Sequence, residues 1–266
     1  GREAAWFSVP AGGTVFLRGE AADKIYFVLS GALGAFRETP NGRSEFVGHI
    51  RPGEPVGEMA LFLGGVDLDG DGQPNDAPHT SSVYALRDSE IVAFSREGWR
   101  QLVKSEPELL EHMIRIILRR LGREGQRNQS AAPKVFTLVA TSPTIDLMLR
   151  ARALRDSLQA QGKSVIIVDE RTGDDKPASF FDELELRHDV VIIVSTIGDT
   201  RWYRLSVRQA DRIWVFGRAD AKPSNPLMPE DDSPARALKL VDVVLLHPGD
   251  NRRACRPIEW LTAAGA

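Results

Sequence analysis

The sequence holds a single cysteine, Cys255, among 266 residues. One thiol excludes an intramolecular disulfide and any metal site built on several thiolates. It also suits a reducing compartment, so a cytoplasmic location is expected. Histidine is nearly as scarce: His49, His79, His112, His188 and His247 never fall at zinc-like spacing. No apolar run approaches the roughly 20 residues that cross a bilayer. The opening Gly1-Arg2-Glu3 has neither an initiator Met nor the character of a signal peptide, and it reads as the start of a piece cut from a longer protein. A basic excess is missing too. The net charge is −3 and the pI about 6.0, so no general positive field recruits DNA, RNA or another polyanion.

What remains is the composition of a globular protein, with 42% apolar and 27% charged residues. The length fits one large domain or two ordinary ones. The first part is made of short β-rich runs: Trp6–Pro10, Thr14–Leu17, Ile25–Leu29, Phe46–Ile50, Ser82–Leu86 and Glu90–Phe94. Pro10-Ala11-Gly12-Gly13, Ser30-Gly31 and Pro40-Asn41-Gly42 separate them. That spacing predicts an antiparallel roll or barrel. Ser105 then reads as the N-cap of a helix whose apolar residues Leu110, Met113 or Ile114, Ile117 and Leu121 recur at helical spacing, with Gly122 as the stop. The polar stretch 123–133 is the expected linker.

Beyond it the pattern changes. Val135–Ala140, Val165–Val168, Val190–Val194, Ile213–Phe216 and Val241–Leu246 are continuous apolar runs. Helical segments are expected at 145–160, 180–186, 202–210 and 235–240. Apolar strands alternating with helices predict an α/β domain with a mostly parallel sheet. The expected organisation is therefore a β-roll with flanking helices over 1–122, a linker over 123–133 and a Rossmann-like α/β domain over 134–266.

The chemistry-bearing stretch of the first half is Pro52-Gly53-Glu54-Pro55-Val56-Gly57-Glu58-Met59-Ala60-Leu61, followed by Pro78-His79-Thr80-Ser81-Ser82-Val83. Gly57 permits a tight backbone, and Glu58 offers a carboxylate to a sugar hydroxyl. Small residues at Ala60, Thr80 and Ser81 let a ligand approach the main chain. A helix opening near Glu58 would present free N–H groups to phosphate. These residues resemble the phosphate-binding cassette of the cyclic-nucleotide-binding domain. Val9–Gly12, Arg18–Asp23, Ile25–Gly31 and the helix from Glu106 extend the likeness to about residues 6–122. The resemblance implies a cyclic AMP or cyclic GMP site at Gly57, Glu58, Met59, Ala60, His79, Thr80 and Ser81, with Glu58 holding the ribose hydroxyl. Where the family carries its phosphate-binding arginine, this chain has His79. An imidazole with a pKa near 6.5 is mostly neutral at pH 7 and lacks the guanidinium fork. Two readings stay open: a weakened nucleotide site, or a domain kept for structure and contacts.

Between the halves of the cassette lies Asp67-Leu68-Asp69-Gly70-Asp71-Gly72. Carboxylates at alternate positions followed by glycine resemble the start of a calcium loop, so Asp67, Asp69 and Asp71 are candidate calcium ligands. The alternative is a solvated acidic loop. The basic stretch Arg115–Arg127 is either a solvated helix end or a peripheral contact with an anionic membrane.

The second half has no Gly-x-Ser-x-Gly elbow, no Gly-x-Gly-x-x-Gly and no Walker sequence. Gly162-Lys163-Ser164 precedes a strand and reads as a helix-ending turn. His188-Asp189 and His247 read as strand-edge residues rather than parts of a triad, and no catalytic residue is expected. Asp199-Thr200-Arg201-Trp202, Arg208–Asp211, Val243–His247 and Glu259-Trp260-Leu261 are distinctive. Their order is similar to the segment joining cyclic-nucleotide-like domains to the catalytic domain in the neuropathy target esterase family of patatin-like phospholipases, over residues 134–261. That resemblance implies a regulatory, non-catalytic fragment of a lipid esterase, whose partner is a catalytic domain elsewhere in the parent protein. Arg208 and Asp211 are expected to pair at a helix end, and Trp202 and Trp260 to be buried anchors. The competing readings are a cyclic-nucleotide-responsive transcription regulator and a stand-alone α/β enzyme. The balanced charge of the second half argues against the first, and the lack of a convergent nucleophile and base argues against the second.

Overall fold

The computed structural model describes residues 4–39, 41–42, 44–58, 78–124, 133–223, 226–229, 233–247, 249 and 257–264. Contacts divide the chain into two compact units, Gly1–Ser130 with Ser233–Ala235, and Ala131–Asp232 with Arg236–Ala266.

The first unit is built from β1 (Ala4–Val9), β2 (Thr14–Phe16), β3 (Lys24–Ser30), β4 (Leu33–Glu38), β5 (Ser44–Ile50), β6 (Pro55–Val56), β7 (Ser82–Ala85) and β8 (Ser89–Ser95). They form two four-stranded antiparallel sheets, ordered β1-β8-β3-β6 and β2-β7-β4-β5. Phe16, Val28, Leu33, Ile50, Val56, Val83, Ala85 and Ile91 pack into one buried cluster drawn from both sheets. This is the expected antiparallel β-roll, with the inner faces of its two sheets forming the core.

Two helices follow. Helix α1 (Arg96–Ser105) is capped by Ser95, whose hydroxyl accepts from the Gly98 N–H at 3.1 Å. Helix α2 covers Glu108–Glu124. This corrects the sequence-based expectation. Ser105 is the last residue of α1 and its hydroxyl donates to the Leu102 carbonyl at 2.9 Å, so it caps nothing at an N-terminus. The helix also runs past Gly122, because one glycine costs only about 1 kcal/mol. Trp99 of α1 and Met113 of α2 are buried with Ile25 of β3, and Phe27, Phe94, Leu110 and Ile117 surround them. The helices therefore seal the outer face of the β3–β8 sheet.

The second unit alternates β9 (Val135–Ala140), α3 (Leu147–Gln159), β10 (Val165–Val168), α4 (Glu170–Gly173), α5 (Ala178–Arg187), β11 (Val190–Thr196), α6 (Arg201–Gln209), β12 (Arg212–Arg218), a 3-10 turn (Pro234–Leu238), β13 (Leu240–Leu246) and α7 (Pro257–Ala264). Its five strands are all parallel, in the order β10-β11-β9-β12-β13. Both faces are covered, which is why each strand reads as an unbroken apolar run. Leu138, Ala140, Ile192 and Phe216 pack with Leu147 and Ala151 of α3 in one cluster. The alternate positions Val135, Val191 and Ile193 pack with Phe181, Trp202 and Leu205 in another.

Glycine lets two tryptophans pack close against the backbone, Trp202 on Gly173 of α4 and Trp260 on Gly217 of β12. A Cβ on Gly173 would sit 2.5 Å from the Trp202 ring, and one on Gly217 would sit 2.5 Å from Cζ3 and 2.8 Å from Cζ2 of Trp260. Both rings are buried and donate an indole N–H, Trp202 to the Val194 carbonyl at 2.9 Å and Trp260 to Ala221 at 3.2 Å. The Asp211 carboxylate accepts from the N–H groups of Lys134 and Val135, at 2.9 and 3.0 Å, and so fixes the start of β9.

Candidate functional site

The described part of the cassette is assembled from the end of β6, the β2–β3 connection and the segment entering β7. Gly57 has φ +83°, the left-handed region that glycine adopts without a Cβ penalty. The fit is close: a Cβ there would lie 3.2 Å from the Lys24 carbonyl oxygen and 3.3 Å from Cε1 of His79. Glu58, next along the chain, is buried at 5% exposure and has polar company. Pro78 pairs with Ala21 in an isolated antiparallel bridge. The His79 N–H donates to the Glu20 carbonyl at 3.0 Å, and its own carbonyl accepts from Gly19 at 2.9 Å. These bonds fix the backbone of His79 beside the residues that resemble a ribose–phosphate cradle.

The side chain of His79 faces into the roll. Its ring lies on Phe16 with centroids 3.7 Å apart and planes 12° apart, and Phe16 in turn meets Tyr26 at 5.6 Å. Burial pushes the imidazole pKa below its ordinary 6.5, against the opposing pull of Glu20 and Asp23. The phenol of Tyr26 is raised, first by burial and then by Asp23 and Glu20. His79 is therefore neutral at pH 7. Thr80 is exposed and Ser81 half-buried, while the Ser82 hydroxyl accepts from the Arg18 N–H at 3.0 Å. The structure thus sets the Gly57 turn close to the His79 ring. Met59 and Ala60 lie outside the described residues, as do Asp67, Asp69 and Asp71. Among the described residues no three His, Cys, Asp or Glu side chains converge as a metal site.

Charge makes the same point from the sequence. From Pro52 to Leu86 there is no lysine or arginine, against the acids Glu54, Glu58, Asp67, Asp69, Asp71 and Asp76. A phosphodiester anion entering this cassette meets no fixed cation from it. Phe16, Tyr26 and Glu20 belong to the surroundings of the site, and nothing in the local sequence marks them, because they reach His79 from across the roll.

The histidine geometry gives a pH prediction. Protons bind His79 more weakly in the folded chain than in the unfolded chain, so its contribution to stability is complete above pH 6.5 and is lost as pH falls through the depressed folded value. Melting of the first unit, followed by hydrogen exchange of β2 and β3, should weaken between pH 7 and 5. His79→Gln should flatten that slope. An unchanged slope would show that His79 is not held neutral by its surroundings.

The carboxyl edge of the parallel sheet is the other place where ligands gather in open α/β folds. Here the loop after β9 carries Thr141, Ser142 and Thr144. Thr141 donates to the Phe216 carbonyl at 3.1 Å, and Ser142 and Thr144 bond to each other at 2.9 Å. Asp146 caps α3 by accepting from the Leu149 N–H at 2.9 Å. A carboxylate already occupies the helix end that a phosphate would use, and no lysine reaches it from this loop. Gly162 and Lys163 donate to the carbonyls of Gln159 and Leu158 and close α3. At the opposite edge the Ser164 hydroxyl meets Nδ1 of His188 at 2.8 Å, a contact the sequence did not indicate. Asp189 accepts from the Ser164 backbone N–H at 2.8 Å, which makes the group a turn clasp.

With this geometry in view, the class of protein is a cyclic-nucleotide-binding-type β-roll joined to a P-loop-like parallel α/β domain. Residues 6–106 match the family described as Cyclic nucleotide-binding domain, and residues 134–264 match the Neuropathy Target Esterase family P-loop like domain. The two matches lie in series along the chain. Patatin-like phospholipase domain-containing protein 6 of Pongo abelii is 22% identical over 96% of this chain and 20% of its own length. Lysophospholipase nte1 of Aspergillus niger is 22% identical over 82% of this chain and 16% of its own length. A CRP-like cAMP-activated global transcriptional regulator of Mycobacterium tuberculosis is 30% identical over 48% of this chain and 50% of its own. The chain thus spans about half of that regulator and about a fifth of the phospholipase relative.

Proposed function

We propose that this chain is the regulatory, non-catalytic part of a patatin-like phospholipase or lysophospholipase, and that its β-roll binds cyclic AMP or cyclic GMP weakly. The observation that carries the reading is the order of the two domains. The match to the phospholipase relative takes in 96% of the chain and so both domains, whereas the match to the transcriptional regulator takes in 48% of it. The α/β unit supplies no nucleophile–base–anion-hole set among its described residues, and a parallel five-stranded sheet is unsuited to lie in a DNA groove. The partner is a catalytic domain in the same parent protein, which this module gates or positions at the cytoplasmic face of the substrate membrane. Among the described residues no helix is long and apolar enough to cross that membrane. Nothing in the described geometry or the comparisons supports calcium.

Calorimetric titration of the chain with cyclic AMP and cyclic GMP, each with calcium and with chelator, tests the reading. The expected result is no saturation below about millimolar ligand, since the site lacks the charged hydrogen bonds worth about 1.5–3 kcal/mol each. Saturable micromolar binding, lost in Glu58→Ala, would replace a weak site by a working sensor. Lysophospholipid hydrolysis by this chain alone would overturn the non-catalytic assignment.

A further inference from the structure

Helix α2 turns Met113, Ile117 and Leu110 toward Trp99 and the sheet. Its outward side carries Ile114 and Leu118, one turn apart, and these are 46% and 61% exposed. A solvated helix face does not need two large aliphatic residues at i and i+4, since an amphipathic helix places polar groups there. Beside them, also one turn apart, stand the exposed Arg115 and Arg119. Arg115 pairs with Glu111, but both are about two-thirds exposed, and such a surface pair is held weakly. From Ile114 to Arg127 the sequence carries five arginines against one glutamate, while Glu106, Glu108 and Glu111 are confined to the start of the helix. The helix dipole accounts for cations at this end. It does not account for the exposed aliphatic pair beside them.

From the apolar pair and its arginine rim we infer that the second half of α2 is a peripheral docking face for an anionic phospholipid surface. Ile114 and Leu118 enter the boundary between headgroups and acyl chains, and Arg115 and Arg119 meet the headgroup phosphates. Charge complementarity selects this occupant over a second copy of the chain. Self-pairing centred on Ile114 and Leu118 would bring the arginines of the two copies within a turn of each other, whereas an anionic surface rewards every one of them. The inference does not depend on nucleotide binding or on the regulatory reading, because it uses only this helix face.

Cosedimentation of the chain with vesicles tests it, using phosphatidylcholine alone or with roughly one-third phosphatidylserine. The chain should partition to the acidic vesicles and leave the neutral ones, and salt should weaken the binding. Arg115→Gln with Arg119→Gln should lower partitioning about thirtyfold, at about fivefold for each charge near the surface. Ile114→Ser with Leu118→Ser should lower it at least about tenfold. All four residues are exposed, so the variants should keep the far-ultraviolet spectrum and melting temperature of the parent chain. No partitioning, or equal partitioning to both vesicle types, would overturn the inference. So would a concentration-dependent dimer in solution that Leu118→Ser abolishes, since the face would then belong to a second copy.

Discussion

Replacing His79 with arginine should raise the affinity of the chain for cyclic AMP by about ten- to a hundredfold, because one charged hydrogen-bonding group supplies about 1.5–3 kcal/mol. The backbone is already in place. Gly57 holds its left-handed turn so near the His79 ring that an added Cβ would lie 3.3 Å from Cε1, Glu58 is buried beside it, and the His79 backbone is pinned to Glu20 and Gly19. What the cassette lacks is the cation. Its histidine is neutral, stacked on Phe16, and no lysine or arginine occurs from Pro52 to Leu86. A guanidinium keeps its charge at any working pH and grips a phosphate with two parallel donors. Glu20 and Asp23, whose field already acts on His79, would steady the new cation and also compete for it. Glu20→Gln in the His79→Arg background should therefore increase the gain by a few-fold. Titration of the single and double variants decides the matter. If His79→Arg folds with an unchanged melting temperature and still binds no nucleotide, the missing cation is not what weakens the site.

Much of this architecture is legible in the sequence, and the failures have physical causes. The five parallel strands stand out because burial on both faces leaves them no polar positions. The short strands of the roll are visible where β-branched and aromatic residues alternate, and hidden where they do not. Strand β4 begins Leu33-Gly34-Ala35, and its pairing with β5 on one side and β7 on the other makes a strand of it. Strand β6 has two residues, too few to show any period. Helix α1 is hidden because Ser95 ends a strand and caps a helix at once, which leaves Ser105 looking like the first cap in the region. The candidate site divides in the same way. Gly57, Glu58 and the place of His79 are a local pattern, read directly. The stacking of His79 on Phe16, the clasp between Ser164 and His188, and the seats of Trp202 and Trp260 on glycines join residues far apart in the chain. No local period records such contacts.

The pairing of Gly217 with Trp260 should produce the largest loss of stability in the α/β unit, and a double-mutant cycle should show it as a coupling. Trp260 is 1% exposed and packs among Val139, Tyr203, Val215 and Leu227. Trp260→Ala removes that surface and leaves a cavity, at a cost of about 3–5 kcal/mol. Gly217→Ala puts a methyl where the ring now lies, 2.5 Å from Cζ3, and the ring is enclosed by its neighbours. Overpacking of this kind costs about 1–3 kcal/mol. In the double variant the methyl added at position 217 enters space that the indole has vacated, so the second substitution should cost nothing further or even recover some stability. The cycle should therefore give a coupling of about 1–3 kcal/mol in the direction of rescue. Urea titration followed by hydrogen exchange of β12 and β13 reads this unit apart from the β-roll, whose exchange should not change. Additive losses would mean that the strand at Gly217 and the Trp260 ring yield independently, and that glycine is not required for the tryptophan to pack close against β12.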